Sequence, residues 1–550
     1  MGAPRFIESL DTFPSNKARG KLSSLNPNSP STSSLPQSRS AQHVKRPSPQ
    51  LSRSNTDPSS SGLGEKRRAK REQNGEKLQL DEDVVKKLRR WVTTIAVVEF
   101  DLDDGPTVSG VYPPIDLSAR EEENIAFSAF PDSPQFDQGS QVHSFRMRKQ
   151  GGDGDGFLYG FSHFTQKRDA TSKRGYQQSS VVILTQFQYP SLFSSLASIL
   201  GPLYQQHGIP MLESACYSIS NWSEPTAGTT VELGFLGTVL HVELPHSTDA
   251  QQLTETSSFN EKRQGLTSPS QILATSAPFH PPPLLLFEAC MANLWSIWEC
   301  LLLCEPMLVF GSSPAQTSQA VWWLRDLVRP IPMAGDFRPY LTMQDGDHSA
   351  LINKLPPKPG LLIGVTNPFF EKSCNHWPHV LSLGRRVTTQ AGHGSPVLGN
   401  GAGPAPGWRT KTHKRHISKD RTLLKRLEAA CRGNDQAKLG ASLDLRRHFC
   451  SRTTQFITPL ARYLNTLIPN PSEVKNARAR GASNGALRLK AFNTENFMDS
   501  LRKNGSPLPF KSTSKRTEFY ERWLKSPAFG AWLVQQEGIV QEILNAPQPT

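Results

Sequence analysis

The sequence has no CxxC pair, and its seven cysteines (216, 290, 300, 304, 374, 431 and 450) are an odd number spread through a 550-residue chain. This excludes a zinc ribbon and a fully paired disulfide framework. Most of the cysteines lie in apolar runs, where a free thiol acts as a small buried hydrophobe, which suits a reducing compartment. No apolar stretch follows Met1, so no secretion signal is expected. Met1-Gly2 opens like a myristoylation site, but Phe6 stands where Ser or Thr is required. A phosphate-binding P-loop and an HExxH helix are both missing. Gly399-Asn-Gly401-Ala-Gly403 follows no strand and opens no helix, so it is not a dinucleotide loop. Gly152-Asp153-Gly-Asp155-Gly156 lacks the closing glutamate of a calcium loop. Gly311-Ser-Ser-Pro314 lacks the second glycine of a nucleophile elbow. His413-Lys-Arg-His416 has no Cys or Asp cluster beside it, and His376 and His379 flank Trp377 as packing histidines do, so neither pair is assigned a metal. With no acid–base pair or nucleophile constellation, no catalytic residue, metal or cofactor is expected. The chain is expected to act by binding.

Long apolar runs are also scarce. The longest, Leu284 to Cys304, is about long enough to span a bilayer, but it contains Glu288, Asn293 and Glu299. The two glutamates fall on one stripe of a helix, and an acid near a bilayer centre costs roughly 2.5–3.5 kcal/mol. A core helix is expected over 284–304.

Positive charge is present but local. The chain carries +14, of which residues 1–80 hold 14 Lys/Arg against 6 Asp/Glu and residues 409–432 hold 9 against 2. The remaining 39 basic and 40 acidic residues nearly cancel. A nucleic-acid-binding domain spreads positive charge over a folded face with aromatics for stacking. Here the strongest run, Lys66-Arg67-Arg68-Ala-Lys70-Arg71, lies in a segment whose only aromatics are Phe6 and Phe13. A solvated basic linker is expected; a nuclear signal, an RNA contact or attraction to anionic lipid are the alternatives.

Residues 1–85 form a disordered tail, since the first 80 positions hold 16 Ser and 8 Pro and no apolar period. Within it, Arg53-Ser-Asn-Thr56-Asp-Pro58 has the spacing of a phosphothreonine ligand for a 14-3-3-type protein. Trp91–Phe100 and Thr107–Tyr112 flank a Gly turn as a hairpin. Ser118-Ala-Arg-Glu121 is a capping box for a helix with an apolar face. Alternating strands follow at 142–149 and 157–165, then the doubly apolar Ser180–Leu184 as a central strand, and helices at 191–206 and 210–222. Residues 231–244 are strand-like, and 251–283 is a Ser/Gln/Pro-rich linker. From Leu284 the pattern alternates: helix 284–304, strand 307–311, helix 314–328, strand 337–343, short helix 346–353, strand 361–366. This predicts a mainly parallel, three-layer α/β unit. Residues 384–415 are a Gly/Pro-rich mobile loop. Beyond Ser418 the chain is helical, with a kink at Pro459, helices near 487–501 and 517–544, and Phe519, Tyr520, Trp523, Phe529 and Trp532 as core.

The stretch from Gly335 to Phe370 carries two apolar strands that each run into a proline-terminated turn, Gly335-Asp-Phe-Arg-Pro-Tyr340 and Leu361-Leu-Ile-Gly-Val-Thr-Asn-Pro368. Thr366 and Asn367 sit just past the second strand, where an α/β sheet usually presents polar groups to a ligand or partner. Around them lies an ordered series: Val97-Val-Glu-Phe-Asp101, Val111-Tyr-Pro113, Phe130-Pro-Asp-Ser133, Lys173-Arg-Gly-Tyr176, Gly237-Thr-Val239 and Cys304-Glu-Pro306. It continues with Asp336-Phe-Arg-Pro-Tyr340, Gly364-Val-Thr-Asn-Pro-Phe-Phe370, His376-Trp-Pro-His379, Asp420–Leu427, Phe456–Leu460 and Leu524–Pro527. In this order and spacing, across about residues 91–535, the chain resembles the tripartite DENN domain, and most closely the DENN domain-containing protein 6 subfamily.

The resemblance implies an α/β fold with an all-α end: a longin-like uDENN module at 86–245, a linker at 246–283, a three-layer cDENN module at 284–384, a Gly/Pro-rich loop at 385–415 and a helical dDENN module at 416–545. It implies a guanine-nucleotide exchange factor that binds a GDP-bound or nucleotide-free Rab GTPase, usually the endosomal Rab numbered fourteen, without covalent catalysis. Such a protein is cytoplasmic and peripheral on recycling endosomes. The switch regions of the GTPase are expected in the groove between the first two modules. Lys173, Arg174 and Tyr176 would touch them from one side, and Asp336, Arg338, Thr366 and Asn367 from the other. The same residues also have a structural reading, as caps of the sheet and the turn. A non-exchanging Rab or membrane scaffold is the alternative function; a nucleic-acid binder rests only on the two basic segments.

Overall fold

The computed structural model describes residues 80–132, 139–149, 156–171, 175–247, 271–384, 403–470, 472–473, 476 and 488–545. Thr56, Lys173 and Arg174 lie outside them. The first described helix, α1 (Glu82–Leu88), starts inside the stretch assigned to the tail. Its acids in the first turn and lysines in the last suit the helix dipole, and Leu88 is buried.

The first sheet comprises β1 (Thr94–Asp101), β2 (Gly105–Tyr112), β3 (Gly139–Arg148), β4 (Phe157–Arg168) and β5 (Tyr176–Thr185). Their order is β2-β1-β5-β4-β3, antiparallel throughout, with β5 in the middle as its two apolar faces require. Alternate residues face opposite layers. Val98, Val182 and Phe164 pack under helix α2 (Ala119–Ser128), and Val97, Phe161 and Ile183 under α3 (Pro190–His207). Both halves of the expected capping box form: Ser118 Oγ accepts from Glu121 N, and the Glu121 carboxylate accepts from Ser118 N. Helix α4 (Ile209–Ser220) and the hairpin β6 (Thr229–Phe235) and β7 (Thr238–Leu244) complete this part.

The C-terminal end of the expected linker is folded. Strand β8 (Gln271–Leu273) joins β7 in parallel, and Ala274 and Ala277 are buried beyond it. A three-residue strand is too short to leave a periodic signal.

The run 284–304 is not one helix. It is a turn (Pro283–Leu286), a 3-10 segment (Glu288–Asn293) and helix α5 (Leu294–Leu302). Continuous hydrophobicity without a period hides such breaks. Glu288 is exposed and Glu299 fully buried, so the two do not share one stripe.

The second sheet, β10-β11-β9-β12-β13, contains β9 (Met307–Phe310), β10 (Phe337–Arg338), β11 (Leu362–Val365), β12 (His379–Ser382) and β13 (Gly407–Thr410). The first four are parallel, as the alternation predicts. Two expectations need correction. The strand expected over 337–343 is two residues long, because Pro339 has no N–H to continue the ladder. The Gly/Pro-rich stretch ending at 415 supplies β13, antiparallel to β12. Helix α6 (Pro314–Leu327), capped by Ser313 Oγ on Gln316 N, links β9 to β10.

The C-terminal part is α7 (Arg421–Cys431), α8 (Asp435–Leu467), α9 (Thr494–Asn504), α10 (Thr513–Leu524) and α11 (Pro527–Asn545). Helix α8 runs unbroken through Pro459, and the helix expected over 517–544 divides before Pro527, whose ring starts α11. Phe519, Tyr520, Trp523 and Trp532 are core as expected, and Phe529 is half-buried beside them. The cysteines are free and six are buried; burial pushes the Cys216 and Cys290 thiols up to about 12. Among the described residues no helix is long and apolar enough to cross a membrane.

Candidate functional site

The two sheets meet along β3, the outer strand of the first sheet. An outer strand presents unpaired backbone groups, and here side chains of the second unit take them up. Ser144 N donates to Ser318 Oγ of α6 at 3.3 Å, and Arg338 Nη1 donates to Arg146 O at 3.3 Å. Trp322 Nε1 donates to Ser144 Oγ at 2.8 Å. Arg146 reaches the other way, donating to Asp336 Oδ1 at 2.9 Å and to Phe337 O at 3.3 Å. Its guanidinium lies 3.5 Å from the centre of the Phe157 ring and 4.4 Å from that of Phe337.

Arg338 sits at the centre of this contact with no exposed surface. Its guanidinium is 3.0 Å from Asp336, 2.5 Å from Asp347 and 3.8 Å from Asp345. Burial alone would lower its pKa, but the three carboxylates outweigh that and hold it above the usual value. Arg146 lacks so many partners, and burial brings it down to about 10. Burial likewise raises Asp345, whereas Arg338 and Arg148 overcome the burial of Asp347 and lower it. Two guanidinium groups and three carboxylates from both sheets therefore form one buried clasp.

Tyr340, just past β10, makes a second clasp. Its hydroxyl accepts from Asp132 N at 2.6 Å and donates to Phe130 O at 3.1 Å. Thr366 Oγ1 donates to Asp132 O at 2.9 Å, and Asn367 Nδ2 donates to both oxygens of the Asp132 carboxylate at 3.3 and 3.2 Å. Asn367 Oδ1 accepts from Phe369 N at 3.0 Å, closing the turn before the short helix that follows. Burial raises the Asp132 pKa, and the Asn367 amide offsets part of the rise.

Of the seven residues expected at the groove, four are thus brought together, but as fastenings between the sheets. Asp336 and Arg338 belong to the first clasp, Thr366 and Asn367 to the second. Tyr176 is elsewhere. It opens β5 opposite Arg168 of β4 and is 42% exposed, whereas Arg146 lies opposite Tyr159 of the same strand. Nine residues of extended chain separate those positions, about 30 Å. Sequence reasoning missed Asp132, Arg146, Asp345 and Asp347. The alternation of Arg146 and Arg148 with Phe145 and Met147 at the end of that outer strand was the available signal for Arg146.

An open cleft of about 690 Å3 lies beside the clasps. Val142, His143 and Ser144 of β3 form one wall, the Ser191–Ile199 face of α3 another, and the Ala315–Trp322 face of α6 a third. Six serines line it, and none of its lining residues is a carboxylate, lysine or arginine. None of the seven expected residues lines it either. His143 is buried there, its Nε2 2.8 Å from Ser128 O, and burial lowers its pKa to about 4, so it is neutral. The cleft offers hydroxyls, apolar surface and no charged acid–base pair.

No family model matches the chain. Among curated proteins it is similar to Protein DENND6B of Mus musculus, 30% identical over 484 residues that cover 83% of this chain and 80% of that protein. It is similar to Protein DENND6A of Mus musculus, 30% identical over 488 residues covering 83% and 78% of the two chains. The Protein DENND6 homolog of Dictyostelium discoideum is 27% identical over 535 residues, covering 84% and 72%.

Proposed function

The chain belongs to the DENN domain-containing protein 6 family, and on that premise we propose that it is a guanine-nucleotide exchange factor for a Rab GTPase of recycling endosomes, of the kind numbered fourteen. The similarity over more than four-fifths of the chain carries this reading. The protein acts from the cytoplasmic face as a peripheral component. It binds the GTPase better without nucleotide than with it, and that difference in affinity is all it contributes to GDP release.

The site divides by role. Asp336, Arg338, Thr366 and Asn367 are positioning residues that fix the first sheet against the second. The switch regions dock against the uncharged cleft along β3, α3 and α6, and Tyr176 makes contact at the far end of the first sheet, with Lys173 and Arg174 as further contacts. What supports this is the neutrality of the cleft, the fastening of its two sides through β3, and the exposure of Tyr176. Thr56, once phosphorylated, is the ligand for a 14-3-3-type protein.

The test is release of a fluorescent GDP analogue from a panel of Rab proteins by the full chain. Acceleration for at least one endosomal Rab is expected. Tyr176→Ala slows exchange severalfold while leaving thermal stability unchanged. No acceleration across the panel overturns the proposal, and capture of only the GTP-loaded form points to a scaffold instead.

A further inference from the structure

Away from the cleft, two histidines that the sequence leaves in a basic loop converge on a buried acid. Glu299 of α5 has no exposed surface, and its carboxylate is fixed by two backbone donors: His416 N reaches Oε2 and Ile417 N reaches Oε1, both at 2.8 Å. Two side chains face the same oxygen. His413 Nε2 is 3.0 Å from Glu299 Oε2 and His416 Nδ1 is 3.3 Å from it, and each histidine side chain is 1% exposed. Despite its 3.0 Å approach, neither ring nitrogen of His413 is in hydrogen-bonding geometry with any group. A buried imidazole is thus aimed at a carboxylate.

We propose that Glu299, His413 and His416 bind a zinc ion. Two imidazoles and a carboxylate are borderline donors of the kind zinc takes, and they come from an HxxH pair and one helix residue. Zinc–ligand bonds of about 2.0–2.2 Å in a tetrahedron separate neighbouring ligand atoms by about 3.3–3.5 Å. The carboxylate oxygen stands 3.0 and 3.3 Å from the two nitrogens, and all three ligand atoms lie within 4.8 Å of one another. Carboxylates also stand on the far side of both rings, without hydrogen-bonding geometry to them. A metal-bound histidine usually offers its other ring nitrogen to a carboxylate, which fixes the tautomer. His416 Nε2 faces Glu518 Oε1 of α10 at 3.3 Å, and His413 Nδ1 faces Glu305 Oε2 at 4.0 Å. Glu305 is itself anchored by His379 at 2.6 Å and by Arg522. A water molecule takes the fourth position. The ion joins α5, the segment around residues 413–417 and α10, so it fastens the second sheet's unit to the C-terminal helices.

The experiment uses the untagged full chain, stripped with a chelator and reloaded with Zn2+ or Co2+. One zinc per chain is expected by elemental analysis, the cobalt form should show the visible absorption of a tetrahedral site, and zinc should raise the thermal midpoint. His413→Gln and His416→Gln should abolish all three. Glu518→Gln, at a half-exposed position that folding tolerates, should keep the site but weaken zinc about 10–100-fold. That variant keeps the test alive should either histidine variant fail to fold. Absence of stoichiometric zinc from the folded, reloaded chain overturns the proposal. So does zinc binding that none of the three substitutions alters, which would mark an adventitious ion elsewhere.

Discussion

Replacing Arg338 by methionine tests whether the first clasp holds the two sheets together. Methionine keeps most of the volume and removes the guanidinium. Three carboxylates then face one another with only Arg146 and Arg148 to balance them, and Arg146 O loses the donor it has at 3.3 Å. Removing one partner of a buried ion pair costs about 3–5 kcal/mol, mostly because the remaining charge stays buried. That applies fully to Asp345, whose side chain is 2% exposed; Asp336 and Asp347 are 21% and 23% exposed and keep some solvent. The cost therefore belongs near 3 kcal/mol rather than 5, still a large share of the 5–15 kcal/mol that holds most folded proteins. Denaturant unfolding of Arg338→Met at neutral pH should show this loss. Asp345→Asn in the same background should return about 1 kcal/mol or more, because it removes the carboxylate that burial already disfavours. If Arg338→Met unfolds within about 0.5 kcal/mol of the parent, or if Asp345→Asn adds its own loss to the first, the clasp is not what secures β3.

Tyr340→Phe removes the hydroxyl that bridges Asp132 N and Phe130 O and leaves a buried N–H without its acceptor. A loss of about 1–3 kcal/mol is expected in the same unfolding assay, and a change under about 0.5 kcal/mol would show the bridge to be dispensable. His143 and His448 are both lowered by burial from 6.5 to about 4. Between those values the unfolded chain takes up protons that the folded chain refuses, so their contribution is complete above about pH 6.5 and disappears as the pH falls towards 4. Each should remove about 2 kcal/mol between pH 7 and pH 5. His143→Gln should flatten that slope in unfolding curves taken at the two pH values; an unchanged slope would mean that His143 already titrates normally in the fold.

Much of this architecture was legible because its causes are local. The capping box at Ser118 and Glu121, the doubly apolar β5 and the alternation that makes β9 to β12 parallel each leave a periodic or positional mark. What stayed hidden was set at long range. Arg338 stands beside Asp336 in sequence, so a local cap was a sufficient reading; its bond to Arg146 O spans 192 residues. The two expected strand-to-turn junctions were found, and their polar groups face Phe130 and Asp132, more than two hundred residues away in the chain. Likewise, His413 and His416 had no Cys or Asp cluster beside them in sequence, because Glu299 is more than a hundred residues away.

These ambiguities have one physical origin. At the end of a strand, a polar residue that fastens two units and one that receives a partner look alike, because both must escape the ladder's own hydrogen bonding. Burial separates them. Arg338 has no exposed surface and Thr366 is buried, while Tyr176, equally part of the ordered series, is 42% exposed. A partner can reach only the last of these directly. The others decide where β3 lies, and with β3 the wall of the cleft.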